Sequence, residues 1–193
     1  MKKLIFGIAF ILLSFCYAQS SQLQFSKEQS LSDIQNLSIS TGNQGSGSQI
    51  KEINFSINPA QCELGQTINN YDIIHISGLT LQAKPGQPLL PVQIIEINLS
   101  QNIQITGVNI TNVKYMNIEN TLNIAPQTQG LSYNTDKTIY TNNAYFPGKI
   151  IAFTQSTVMN NNVLYLFIYP VQYNPVTKQS LLITSGTINI YGD

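Results

Sequence analysis

Apolar residues in most of this chain occur in short runs that alternate with polar residues and end at turn-forming residues. From Ile50 onward the runs are rich in β-branched and aromatic side chains, and Asn58-Pro59 and Lys84-Pro85-Gly86 are among the breaks between them. No window shows an apolar period of three to four residues long enough for a helix. We therefore predict strands at residues 51–57, 71–81, 91–99, 103–118 with an interruption, 149–154, 163–173 and 180–191.

Many short strands at this spacing predict an all-β fold, an antiparallel β-sandwich of the jelly-roll or immunoglobulin-like kind. Residues 19–49 are polar and end in a Gly- and Ser-rich run, which predicts a flexible N-terminal segment with one candidate strand at 34–39. Residues 50–193 then form one sandwich domain, a length that can bury a single core.

The first 18 residues have the layout of a secretory signal peptide. Two lysines precede an apolar run at residues 4–15, and Cys16-Tyr17-Ala18 places small residues where a signal peptidase cleaves. We expect cleavage after Ala18 and a secreted or periplasmic chain with no stable membrane insertion. A lipoprotein signal ending at Cys16 is the alternative, but the bulky Phe15 before the cysteine fits it poorly.

Charged side chains are scarce. The chain has nine lysines, no arginine and nine acidic residues, and removal of the leader leaves a net charge of about −2. Without a basic patch or arginine forks, the chain lacks the groups that usually bind nucleic acid. Acidic lipid surfaces are disfavoured for the same reason.

Candidate catalytic chemistry is sparse, because the mature chain has one histidine, His75, and one cysteine, Cys62. A Cys62/His75 dyad is conceivable, but no nucleophile motif surrounds Cys62 and no third residue orients the histidine. A serine triad needs the same histidine and a Gly-x-Ser-x-Gly turn, which is missing. One cysteine and one histidine are also too few ligands for a structural zinc site, which needs about four. The residues thus predict no enzyme, metal or cofactor.

The stretch "YPVQYNPVTKQ" at 169–179 is predicted to be a hairpin connection between two core strands. Pro170 cannot donate a ladder hydrogen bond, so it marks an edge position or a bulge. Asn174 and Pro175 have the chemistry of a turn, and Gly186 on the returning strand is predicted to lie at a bulge.

Four segments in this order resemble the N-terminal propeptide domain of the gingipain-type secreted cysteine peptidases, from about Ile50 to Tyr191. In that family the propeptide is a β-sandwich that blocks the active-site cleft of the zymogen, assists its folding and is removed on activation. The segments are "GQPLLPV" (86–92), "LNIAPQTQG" (122–130), "YFPGKI" (145–150) and "YPVQYNPVTKQSLLI" (169–183).

The resemblance implies a partner, a gingipain-like cysteine peptidase catalytic domain that binds in cis or in trans. The family's catalytic cysteine and histidine belong to that domain, so Cys62 and His75 inherit no role. The sequence ends at Asp193, directly after the last predicted strand. We therefore expect the catalytic domain to be absent from this chain.

The resemblance also implies an inhibitory loop, in which a basic residue after the "LNIAPQTQG" segment enters the peptidase's specificity pocket. The best-matching position is Asn134, with Tyr133 beside it and Lys137 three residues further on. A neutral Asn cannot satisfy a buried carboxylate. Three explanations stay open: the loop uses Lys137, the partner has another specificity, or inhibition is lost. The alternative function is a structural or adhesive exported sandwich, or a truncated fragment of a peptidase precursor.

Overall fold

The computed structural model describes residues 22–33, 39–67, 69–130 and 133–193. The predicted signal peptide and most of the candidate strand at 34–39 lie outside these ranges. Within them the chain forms twelve strands and one α-helical turn, besides two 3₁₀ turns at Leu31–Asp33 and Pro59–Gln61. The elements are β1 (Gln29–Ser30), β2 (Gly42–Asn43), β3 (Ser48–Ser56), β4 (Cys62–Gln66), β5 (Asp72–Ile76), β6 (Thr80–Gln82), β7 (Leu90–Leu99), β8 (Ile105–Ile118), α1 (Lys137–Tyr140), β9 (Ile151–Val158), β10 (Asn161–Ile168), β11 (Val171–Asn174) and β12 (Gln179–Gly192).

The described strands pair antiparallel in two main sheets and one separate hairpin. The long strands β8 and β12 form the centre of a six-stranded sheet, with β1 and β2 beside β8 and with β3 and β11 beside β12. The second sheet has the order β6-β7-β10-β9, and β4 pairs with β5. The predicted antiparallel β-sandwich is confirmed.

One hydrophobic core joins the sheets. Ile188 and Ile190 of β12 pack in the same cluster as Leu164 and Leu166 of β10, and all four side chains are fully buried. Burial of each such side chain stabilises the fold by about 1.5–3 kcal/mol. Strands β10 and β12 are buried over most of their length, which explains their near-continuous apolar sequence.

Several predicted strand boundaries were wrong. The predicted strand 71–81 is split into β5 and β6 by a turn at Gly78, whose φ is +81°. The predicted strand 163–173 is split before β11, where Pro170 has no N–H to donate. By contrast, β8 runs as one strand without the expected interruption, and both β4 and the helical turn α1 lie where no element was predicted.

The predicted hairpin after "YPVQ" is confirmed. Strands β11 and β12 pair up to Asn174 and Gln179, and the Asn174 side chain accepts the backbone N–H groups of Val176 and Thr177. The irregularity predicted at Gly186 is present as well, because the β8–β12 register shifts between Ser185 and Thr187.

Part of the polar N-terminal segment pairs with the six-stranded sheet. Ser26 donates its N–H to the carbonyl of Asn117, and β1 and β2 both pair with β8. The proposed division at residues 18 and 49 stays a prediction. The helical turns in the described ranges are all too short to cross a bilayer.

Candidate functional site

The first two of the four segments noted in the sequence pack against each other. The Leu89 N–H donates to the Ala125 carbonyl at 2.8 Å, and the Gln127 N–H donates to the Gln87 carbonyl at 2.8 Å. The Gly86 N–H adds a third bond, to the Gln127 carbonyl at 2.9 Å. Segments 86–92 and 122–130 therefore lie side by side, although they are far apart in sequence.

The other two segments also pair, through backbone groups and one buried glutamine. Phe146 and Tyr173 exchange both backbone hydrogen bonds, at 2.8 and 2.9 Å. The Gln172 side chain is fully buried, accepts the Gly148 N–H and donates to the carbonyls of Lys149 and Tyr169. Gln172 thus satisfies three backbone groups that burial would otherwise leave unpaired.

Tyr173 and Leu122 connect the two pairs into one unit. The hydroxyl of the buried Tyr173 donates to the Leu122 carbonyl at 3.2 Å, and the Leu122 N–H donates to the Lys178 carbonyl at 3.1 Å. Burial raises the pKa of Tyr173, which keeps the donating proton in place. We call these four segments, 86–92, 122–130, 145–150 and 169–183, the frame.

The candidate loop, residues 133–141, lies on the frame and is fastened at its start. The half-buried Tyr133 ring stacks on Tyr71, with ring centroids 5.5 Å apart and planes 14° apart. The Asp136 N–H then donates to the Gly86 carbonyl at 2.9 Å. Gly86 has φ +85°, and a Cβ there would lie 3.0 Å from the Asp136 nitrogen, so a side chain would disturb this contact.

The helical turn α1 gives the loop its shape after Asp136. The Asp136 carboxylate caps the turn by accepting the Thr138 N–H at 2.9 Å and the Thr138 hydroxyl at 2.6 Å. These bonds, the one from the hydroxyl first, lower the pKa of Asp136. At the end of the turn the Tyr140 hydroxyl donates to the Ile124 carbonyl at 3.2 Å. The loop is therefore held at both ends.

The structure brings Tyr133, Asn134 and Lys137 into one loop, but in different settings. Asn134 and Lys137 are exposed, whereas Tyr133 is an anchor against Tyr71. Lys137 is the first residue of α1 and forms no salt bridge within the described ranges. Asn134 borders a cavity of about 220 Å³ that Gly86 and Gln127 also line. Of the three predicted residues, Asn134 and Lys137 are therefore accessible to solvent, and Tyr133 is largely taken up by its contact with Tyr71.

Four residues that hold this loop were not predicted from the sequence: Tyr71, Gly86, Asp136 and Tyr140. An acidic residue before a short helical turn is a capping signal that could have identified Asp136. Gly86 was predicted to lie in a turn, but its contact with Asp136 was not. The partnership of Tyr71 with Tyr133 spans two distant segments, so no local pattern could have shown it.

Cys62 and His75 do not form a dyad. In the β4–β5 register Cys62 lies opposite Ile76, while His75 lies opposite Glu63, so the cysteine and the histidine point to opposite faces of the hairpin. Burial raises the pKa of the Cys62 thiol to about 11. The thiol is therefore protonated at neutral pH, which disfavours a role as nucleophile.

Solved structures with this fold include two from Porphyromonas gingivalis. One is the complex of the RgpB pro- and mature domains, with 18% identity, a TM-score of 0.61 and coverage of 89% of this chain and 84% of that chain. The other concerns zymogenic latency of gingipain K, with 16% identity, a TM-score of 0.62 and coverage of 88% and 99%. No curated protein sequence matches the chain.

Most of the chain, including the four segments, matches a known family model. A family model described as Propeptide_C25 matches residues 44–191, which is more than half of the chain and includes the whole frame and the candidate loop. The resemblance is confirmed, and the chain belongs to the Propeptide_C25 family.

Proposed function

We propose that this chain is an exported propeptide module that binds a gingipain-like cysteine peptidase domain, covers its active-site cleft and assists its folding. The module acts by binding and carries no catalytic group of its own. Support comes from the family match and from the two similar structures, a complex of pro- and mature domains and a study of zymogenic latency.

The observation that carries the proposal is an exposed loop that is fastened to the hydrogen-bonded frame. Asn134 and Lys137 face solvent, while the Tyr133 stack, the Asp136–Gly86 hydrogen bond and the Tyr140–Ile124 hydrogen bond hold the backbone around them. A loop that is already ordered loses little conformational entropy when it binds. Such a loop is therefore better suited to bind in a cleft than a flexible segment of the same sequence would be.

Lys137 is the side chain of this loop that can neutralise a carboxylate in a specificity pocket. Asn134 occupies the position that matches the family pattern best, but its amide carries no charge. An unpaired carboxylate in a closed pocket is costly, and a lysine ammonium can make a charge-assisted hydrogen bond to it. We propose that Lys137 makes this contact, with Tyr133 fixing the loop and Asn134 beside the cleft.

The proposed location is outside the cytoplasm, after removal of residues 1–18. Export would place the module with its peptidase partner, either on the same polypeptide or as a separate chain. If the reading frame of this chain continues into a peptidase domain, the module would act in cis. If a neighbouring gene encodes the peptidase, the module would act in trans.

The test is inhibition of a gingipain-like peptidase from the same organism by the purified mature chain. We expect inhibition at micromolar concentration, weakened about tenfold or more in Lys137→Ala through loss of the charged contact. The matched control is Lys51→Ala, since Lys51 is also exposed but lies on β3. Thermal unfolding of all three proteins checks that each is folded.

Two results would contradict the proposal at different levels. A folded wild-type chain that does not slow the peptidase at micromolar concentration would remove the inhibitory function. Inhibition that is equal in wild type and Lys137→Ala would leave the function standing and remove the role of Lys137.

A further inference from the structure

The edge strands of the two main sheets differ in how their free backbone groups are protected. Natural sheets block unwanted pairing at an edge by placing charges there, by keeping the edge strand short or by covering it. In the described ranges β1, β2 and β6 have only two or three residues, and β3 carries Lys51 and Glu52. Strand β11 is covered, because Tyr173 pairs with Phe146.

Among the described residues, strand β9 has none of these protections. It is eight residues long and pairs on one side with β10, and within the described ranges no backbone hydrogen bond is made by its other side. Thr154, Ser156 and Thr157 are exposed. The whole stretch from Ile150 to Thr177 contains no charged residue. In the part of the chain that the structure describes, the free side of β9 therefore has backbone groups to pair with another strand.

Exposed apolar side chains accompany the open edge. Phe153 of β9 is 38% exposed, Val158 is 41% exposed and Met159 at the β9–β10 turn is 93% exposed. Burial of such side chains would add to the backbone hydrogen bonds that a new strand makes. The Gln155 side chain stiffens the middle of the strand by accepting the Ile105 N–H and donating to the Ile103 carbonyl.

We propose that β9 pairs antiparallel with β9 of a second copy, which joins two four-stranded sheets into one continuous sheet. An antiparallel edge is complementary to itself about a two-fold axis, so each copy supplies the same donors and acceptors. With the axis at Gln155, Val158 of one copy lies opposite Ala152 of the other. No charge on β9 opposes this pairing, and the small net charge of the mature chain, about −2, leaves little repulsion between copies.

This interface uses no residue of the candidate loop, so it stands independently of peptidase inhibition. Sedimentation equilibrium of the purified chain tests it, and we expect a dimer at micromolar concentration. In Thr154→Lys each new ammonium group would lie opposite Ser156 of the other copy and diagonally across the two-fold axis from its equivalent, so we expect the dissociation constant to rise about tenfold or more.

Two control variants distinguish an effect at the β9 edge from a general effect of added charge. Ser56→Lys places the same charge on β3, where the residue is exposed, and should leave the dimer intact. Thr154→Val keeps β9 neutral and should also remain dimeric. Circular dichroism checks that each variant is folded.

Hydrogen exchange of the wild-type chain gives a second readout that needs no variant. The amides of residues 152–158 should exchange more slowly as the concentration is raised through the dimerisation range. A wild-type chain that stays monomeric, a folded Thr154→Lys chain that stays dimeric, or a dimer without added protection in 152–158 would each overturn the proposal.

Discussion

The hairpin β11–β12 and the candidate loop 133–141 both contain polar and aromatic residues, but the polar side chains are buried in the hairpin and mostly exposed in the loop. In the hairpin, Gln172, Tyr173 and Asn174 are all buried, and the polar group of each side chain has a hydrogen-bond partner. In the loop, Asn134 and Lys137 are exposed, and the backbone is fastened through neighbouring residues.

This difference explains why the four segments recognised in the sequence and the residues proposed to bind a partner lie in different places. A buried polar side chain must satisfy specific partners, so few residue types fit its position. An exposed loop residue has no such constraint from the fold, and its identity is free to follow the partner. The four segments that carried the sequence resemblance therefore lie in the frame, while the exposed residues proposed to meet a peptidase lie in the loop.

The largest effect is expected from Gln172→Leu in the frame. The change leaves the Gly148 N–H and the carbonyls of Lys149 and Tyr169 without their partner, so the free energy of unfolding should fall by about 3 kcal/mol. Urea unfolding measures it. The control is Gln179→Leu, at an exposed position in the same hairpin, which should change stability by less than about 0.5 kcal/mol. Equal losses in the two variants would contradict the role given to Gln172.

A middle-sized effect is expected from Gly86→Ala, where frame and loop meet. Gly86 and Gly130 both have positive φ, so alanine at either position should cost about 1 kcal/mol of stability. A Cβ at Gly86 also approaches the Asp136 nitrogen, whereas one at Gly130 meets no described residue within 4 Å. Gly86→Ala should therefore speed amide exchange in residues 136–141, and Gly130→Ala should not. Identical exchange in both variants would show that Gly86 does not hold the loop.

The smallest effect is a pH dependence confined to the loop. Hydrogen bonds from Thr138 lower the pKa of Asp136 below its ordinary value of 3.8. The cap contributes its full stabilisation above pH 3.8 and loses it as the pH falls through the lower pKa of the folded state. The Thr138 amide shift, followed by NMR, should titrate below 3.8 in wild type and not in Asp136→Asn. A midpoint at or above that value would contradict the cap.

Much of the frame could be predicted from sequence, because its signals are local. The turn chemistry of Asn174-Pro175 predicted the hairpin, and runs of apolar β-branched residues predicted the long strands. Boundaries failed where a tertiary contact decided them. Strand β8 pairs with β12 on both sides of Asn112, whose φ is +51°, so it remains one strand although its register with β12 shifts at this point. The pairing of β4 with β5 likewise makes a strand of a short, mixed sequence.

The sequence by itself determined the fold class, the scarcity of charge and the family to which the chain belongs, since each follows from residue types and their order. Only the tertiary structure decided which residues meet. Tyr133 stacks on Tyr71, the Gly86 carbonyl accepts the Asp136 N–H, and Cys62 and His75 lie on opposite faces of the β4–β5 hairpin. Such contacts depend on strand register and on the packing of distant segments, and a shift of one residue would reverse the face of every side chain.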